Sequence, residues 1–238
     1  MIAIENLTVQ FGGLVALDAV SVKLEGDVVG IIGPNGAGKT TFLNVFSGFV
    51  TPRRGRILAF GDDLLPLMPH RRAQWGLRRS FQKEQVVDEL TVADNVAVVL
   101  DPLRISGSEK GRMIDAALAF TGISELRNVP TSALNAMQRR MTELARCVAG
   151  RPRLVMLDEP GAGFSQSEVE HLRDVICGIS KFCGAVTLLI DHDVDLIRAT
   201  CGNTMVLDFG RLVACAPTAE VLADDRVRRV YLGEEVAA

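Results

Sequence analysis

The sequence predicts an α/β fold: buried strands and covering helices around a phosphate-binding loop, an antiparallel β layer near the N-terminus, and an inserted helical subdomain. Three observations predict it. Val28 to Ile32 is an apolar, β-branched run that leads into Gly33 to Thr41 (G-P-N-G-A-G-K-T-T), after which Phe42, Val45, Phe46 and Phe49 recur at helical spacing. From about Thr91 to Gly150 the pattern is helical, with few strand signals. Beyond it, Leu154 to Leu157 and Ala185 to Ile190 read as buried strands, the first running into Asp158-Glu159-Pro160 and the second into Asp191-His192-Asp193. These bounds place an α/β core at residues 1–84 and 152–238 and a helical subdomain at 85–151, within one domain.

The remaining elements follow in order. Residues 2–10 partly alternate, Phe11-Gly12-Gly13 turns the chain, and Ala19 to Leu24 supplies the second strand of a hairpin-like layer. Gly48 and Thr51-Pro52 end the first helix, and Gly55 to Phe60 reads as a strand. Residues 62–80 are polar, with Pro66 and Pro69 allowing only short helices. Thr91 caps a helix start, Met113 to Phe120 and Leu134 to Val148 are helical, and Ser106 to Gly111 (S-G-S-E-K-G) is the expected flexible loop. A helix over 167–182, strands at 204–208 and 212–216 and a short helix at 218–223 complete the chain.

Composition excludes several classes of function. At 238 residues, 48% hydrophobic and 23% charged, the chain buries a sizeable core. No apolar run approaches a membrane span, and the N-terminus lacks the regions of a signal peptide, so a soluble, cytosolic chain is expected. A net charge of -3 with scattered Lys and Arg argues against nucleic-acid binding. The short basic runs Arg53 to Arg56, His70 to Arg72 and Arg78 to Arg79 read as solvated faces or anion contacts. Five scattered cysteines without C-x-x-C read as small buried hydrophobes.

The chemistry centres on Gly33, Pro34, Asn35, Gly36, Ala37, Gly38, Lys39, Thr40 and Thr41, which fit G-x-x-x-x-G-K-[ST]. Gly36 and Gly38 let consecutive backbone N–H groups point into one concavity, and the helix behind adds its positive dipole end. Lys39 reaches the β- and γ-phosphates, and the Thr40 hydroxyl ligates a Mg²⁺ bridging the same oxygens. Adjacent carboxylates at a strand end face opposite ways in an extended chain, which lets Asp158 orient Mg²⁺ while Glu159 faces the attacking water. His192, after a strand expected beside the phosphate-loop strand, reaches the γ-phosphate. Phe11 is either a core residue or a face on which an adenine ring stacks, and Gln82 taken alone reads as a polar side chain facing water.

Taken together, the phosphate loop, the helical insertion, L-V-M-L-D-E-P and the later Asp-His resemble the nucleotide-binding subunit of ATP-binding cassette (ABC) transporters, a P-loop NTPase. More narrowly, F-G-G-L-V-A-L-D, R-R-S-F-Q and V-Y-L-G-E look like the subfamily energising uptake of branched-chain amino acids, with urea and amide importers close by; the lipopolysaccharide-export ATPase shares V-Y-L-G. The resemblance implies ATP and Mg²⁺ as ligands, transmembrane permease subunits as partners, and a peripheral place on the inner face of the membrane. It implies that Phe11 stacks adenine and that Gln82 ligates Mg²⁺ and senses the permease. Asp158 and Glu159 become the Walker B aspartate and catalytic glutamate, and His192 the switch histidine. Two such subunits close on ATP, each facing the other's L-S-G-G-Q signature. Here that segment is Leu134 followed by Asn135, Ala136, Met137 and Gln138, and Met137 puts a long side chain where a glycine lets backbone approach a phosphate. The segment Ala162-Gly163-Phe164-Ser165-Gln166 also lacks the Asn-Pro or Leu-Asp of relatives. The expectation is pairing with a second ATPase subunit, favoured over pairing with itself, with an ATP-binding but hydrolytically weak partner or regulatory subunit as the alternative.

Overall fold

The computed structural model describes residues 1–229, so the V-Y-L-G-E segment lies outside the described residues. The chain divides into two compact units, Met1–Ala73 with the return from Leu188, and Gln74–Thr187.

In the first unit, β1 (Ile2–Phe11) and β2 (Leu14–Leu24) form the expected hairpin, with Ile2 opposite Leu24 and Phe11 opposite Leu14. Ile2, Ile4, Leu7 and Val9 are buried. β2 begins at Leu14 rather than Ala19, because residues 14–17 continue the pairing beyond a bulge where the Ala19 N–H donates to the Thr8 hydroxyl. β3 (Val28–Ile32) is buried along its length and delivers the chain into the phosphate loop and α1 (Lys39–Ser47). Gly48, at φ 79°, ends that helix in the left-handed conformation expected of a C-terminal glycine. β4 (Arg54–Ala59) and β5 (Asp62–Asp63) then complete an antiparallel sheet of order β2-β1-β4-β5, followed by the short α2 (Pro69–Trp75).

The second unit opens with β6 (Leu77–Arg79), a strand that periodicity does not reveal. Helices α3 (Val92–Ala97), α4 (Gly107–Phe120) and α5 (Ala136–Val148) follow. Thr91 caps α3 as expected, its hydroxyl accepting from the Asp94 N–H. The expected loop at Ser106 to Gly111 is instead the cap and first turns of α4. Ser106 accepts from the Glu109 N–H, and Gly107 and Gly111 face open space, where a missing side chain costs no packing. β7 (Leu154–Asp158) pairs in parallel with β6, and α6 (Gln166–Cys183) closes the unit.

β8 (Val186–Ile190) leads back to the first unit, where α7 (Val194–Thr200), β9 (Asn203–Asp208), β10 (Arg211–Pro217), α8 (Thr218–Ala223) and α9 (Asp225–Val227) follow. There β3 lies between β8 and β9, parallel to β9, which puts the phosphate-loop strand at the interior of its sheet.

The basic runs are not all solvated. Arg72 is buried and donates to the carbonyls of Val45, Phe46, Leu65 and Leu67, and the Arg79 side chain is buried against Asp158. Nor are all the cysteines buried: Cys177 is exposed, while Cys147 and Cys201 are inside.

Candidate functional site

The phosphate loop has the backbone that its glycines predict. Gly36 and Gly38 sit at φ 80° and 101°, and a Cβ on Gly38 would lie 2.6 Å from the Ala16 carbonyl oxygen, so no other residue fits without a shift. Gly33 is tighter still, a Cβ there falling 2.1 Å from the Leu207 carbonyl oxygen. Gly38 is also the N-cap of α1 and offers no side-chain acceptor, which leaves the first-turn N–H groups of the helix for an anion. The buried Lys39 turns its ammonium back into the loop and donates to the carbonyls of Gly33 (2.6 Å) and Pro34 (3.0 Å). That places a cation inside the concavity. The loop is braced by the Ala37 N–H on Pro34 and by the Gly210 N–H on Ala37. Asn35, Gly36 and Thr40 are exposed, while Pro34 and Thr41 are half-buried.

Phe11 ends β1 with 50% of its surface exposed, which makes it a surface aromatic and not a core residue. His192 is exposed, one residue before the N-cap of α7: Asp193 accepts from the N–H groups of Asp195 and Leu196, and Asp191 accepts from the Asp193 N–H. The loop, Phe11 and His192 belong to the first unit; Gln82, Asp158, Glu159 and residues 135–138 belong to the second.

In the second unit β7 ends at Asp158, whose carboxylate accepts from the Arg79 guanidinium at 3.0 Å. Burial pulls the Arg79 guanidinium down from its ordinary value, and the bond to Asp158 opposes that. Glu159 does not continue the extended chain as the sequence reading expects. It takes φ 49°, a left-handed conformation held in a non-glycine residue immediately before Pro160. The two carboxylates are parted by this turn and not by strand alternation. The Gln82 Nε2 donates to Glu159 Oε2 at 2.8 Å, so the structure brings together two residues that lie far apart in sequence.

The 135–138 segment forms the first turn of α5 as a capping box. Asn135 Oδ1 accepts from the Gln138 N–H (2.9 Å), and Gln138 Oε1 accepts from the Asn135 N–H (3.1 Å). Asn135 and Ala136 are exposed and Met137 is half-buried. At the other atypical segment, Ser165 caps α6 in a second capping box with Glu168. Sequence reasoning gave Arg140 and Glu143 no role and read Arg79 only as part of a basic run; Arg79 stands inside R-R-S-F-Q, three residues before Gln82.

A phosphate-binding loop behind a buried strand, a strand-end Asp-Glu and a helical unit define a P-loop ATPase cassette. Residues 17–162 match the family model described as ABC transporter. The chain is 34% identical to the high-affinity branched-chain amino acid transport ATP-binding protein BraF of Pseudomonas aeruginosa, over 98% of each chain. It is 35% identical to the lipopolysaccharide export system ATP-binding protein LptB of Acidithiobacillus ferridurans, over 91% of this chain and 90% of that one. Among solved structures it is similar to the ADP conformation of MJ1267, an ATP-binding cassette of an ABC transporter, with a TM-score of 0.84 and 28% identity over 98% and 99% of the two chains. The chain therefore belongs to the ABC transporter family, as an ATP-binding subunit with ATPase activity coupled to transport. Among the described residues no helix is long and apolar enough to cross a membrane.

Proposed function

We propose that this chain powers an importer of branched-chain amino acids from the cytoplasmic face of the membrane, bound to transmembrane permease subunits and paired with a second ATPase subunit. The single observation that carries the catalytic part is the Gln82–Glu159 hydrogen bond, which sets a metal-ligand candidate against a general-base candidate. The solute is supported by the end-to-end similarity to BraF and by F-G-G-L-V-A-L-D and R-R-S-F-Q. The similarity to LptB, at nearly the same identity, favours lipopolysaccharide export as the second reading.

In this reading Phe11 stacks the adenine, and backbone N–H groups of the phosphate loop and the first turn of α1, with the Lys39 ammonium, hold the phosphates. Thr40, Gln82 and Asp158 would hold Mg²⁺; all three offer the oxygen donors that a hard cation takes, and the Asp158 carboxylate also accepts from Arg79. When bound, the ion neutralises charge developing on the phosphate oxygens. Glu159 Oε2 accepts the proton of the attacking water after parting from Gln82, and His192 orients the γ-phosphate.

Pairing with a different subunit is supported by the α5 terminus. The N–H groups of Asn135 and Gln138 are taken by the capping box, and the half-buried Met137 side chain adds bulk where a phosphate on a facing subunit would approach the N–H groups of Ala136 and Met137. Changing Asn135→Ser, Ala136→Gly and Met137→Gly together therefore raises hydrolysis by the self-paired chain; an unchanged rate counts against the heterodimer. For the solute, deleting the gene abolishes uptake of radiolabelled leucine by the source cells and leaves surface lipopolysaccharide intact. Normal leucine uptake with lost surface lipopolysaccharide transfers the proposal to the export reading.

A further inference from the structure

Residues 81–86 carry no helix or strand, so their backbone N–H and C=O groups have no ladder to join. The last ladder bond before them runs from the Ser80 N–H to Met156. Beyond a local bond from the Gln85 carboxamide to the Lys83 carbonyl, a pair of side chains on α5 meets this backbone. Arg140 Nη1 donates to the Phe81 carbonyl (2.8 Å) and its Nη2 to the Gln82 carbonyl (2.9 Å). Glu143, one helical turn on and on the same face, bonds Arg140 and accepts from the N–H groups of Phe81 (3.3 Å) and Gln85 (3.2 Å). Arg146 stands 3.8 Å from Glu143, and Glu84 stands 3.9 Å from Arg140. Arg140 is 2% exposed and Glu143 fully buried.

A pair so deeply buried is poor value as a stabiliser, because removing two charges from water offsets most of their attraction and apolar residues of similar volume often do as well. What apolar residues cannot provide is a planar fork spanning two consecutive carbonyls and a carboxylate spanning two amides.

We propose that Arg140 and Glu143 are positioning residues for Gln82, fastening the backbone of residues 81–85 to α5 and so fixing where the Gln82 carboxamide sits. The proposal rests on the reading of Gln82 as a Mg²⁺ ligand. Groups of this kind, which hold a ligand without touching the metal, commonly change metal affinity by about 10- to 100-fold when removed.

The test is the double variant Arg140→Met with Glu143→Leu, which removes both charges of the buried pair together. ATP affinity is measured by calorimetry in EDTA and again with saturating Mg²⁺, beside Gln82→Ala as the reference. Amide exchange at Phe81 and Gln85 is followed in the same samples. The expected result is wild-type affinity in EDTA, a loss of about 10-fold in the Mg²⁺-dependent gain for both variants, and faster exchange at the two amides in the double variant. If Gln82→Ala loses the gain and the folded double variant keeps it, the positioning role is overturned while the reading of Gln82 stands. If Gln82→Ala keeps the gain, the metal reading fails and the proposal with it. Should the double variant not fold, Arg140→Lys decides: it keeps the charge but not the fork, so a partial loss of the gain is expected, and an unchanged gain overturns the role.

Discussion

Arg72→Met tests how the phosphate-loop helix is held at its far end. The last carbonyls of a helix have no partner within it, and here Arg72 supplies one: its Nη1 lies 2.5 Å from the Val45 carbonyl and 2.7 Å from that of Phe46. Its Nε and Nη2 bond Leu67 (2.8 Å) and Leu65 (3.2 Å), tying the segment before α2 to the same point. Hydrogen bonds from a charged group are each worth about 1.5–3 kcal/mol, so four would sum to about 6–12. Two effects reduce that. The Val45 carbonyl keeps the Gly48 N–H at 3.1 Å, and removing the charge of a residue that is only 4% exposed relieves a desolvation cost of several kcal/mol. Methionine keeps much of the apolar stem. The net loss is about 3 kcal/mol, which for a chain of this size lowers the melting temperature by about 6–12 °C. Calorimetric or circular-dichroism melts read it directly. A fall of less than about 2 °C would show that these bonds contribute under 1 kcal/mol together and would refute the reasoning.

Gly38→Ala forces φ 101° on a residue with a Cβ and drives that atom to 2.6 Å from the Ala16 carbonyl oxygen. A destabilisation of about 1–3 kcal/mol in urea titrations is expected, with ATP binding lost in calorimetry, and retained binding would contradict the loop geometry. Near the end of the described chain, hydrogen bonds from the Arg226 side chain and backbone hold the Asp224 carboxyl down at about 2 against an ordinary 3.8. With the folded value depressed, the stability Asp224 contributes is present above the ordinary value and is lost as pH falls toward 2. Arg226→Ala moves its carboxyl NMR titration midpoint up toward the ordinary value, and an unmoved midpoint would show that the pairing has no effect.

The phosphate loop was legible because its glycines answer to backbone geometry: Gly36 and Gly38 occupy conformations that other residues avoid, and no packing partner can change that. Buried β3 and β7 were legible for a related reason, since a strand covered on both faces leaves an unbroken apolar run. Short or charged features were hidden. Three residues of β6 carry no period, and Arg72, Arg79 and Arg140 look like surface until the carbonyls and carboxylates that receive them are brought near. Ser106 to Gly111 misled because glycine signals a loop by composition, whereas the Ser106 cap decides in favour of helix when the glycines face solvent. The sequence pair Asp158-Glu159 pointed to the right residues with the wrong geometry, because nothing in the pattern marks a left-handed glutamate before a proline.

The most direct test of the central claim is steady-state Mg-ATP hydrolysis by the purified chain across a range of protein concentrations, with Glu159→Gln as the blank. The account predicts that the chain alone binds ATP but turns it over no faster than the blank, as expected if Met137 keeps its own α5 terminus from completing the site. A rate that rises faster than linearly with concentration and disappears in Glu159→Gln would contradict it, showing that two copies of this chain suffice.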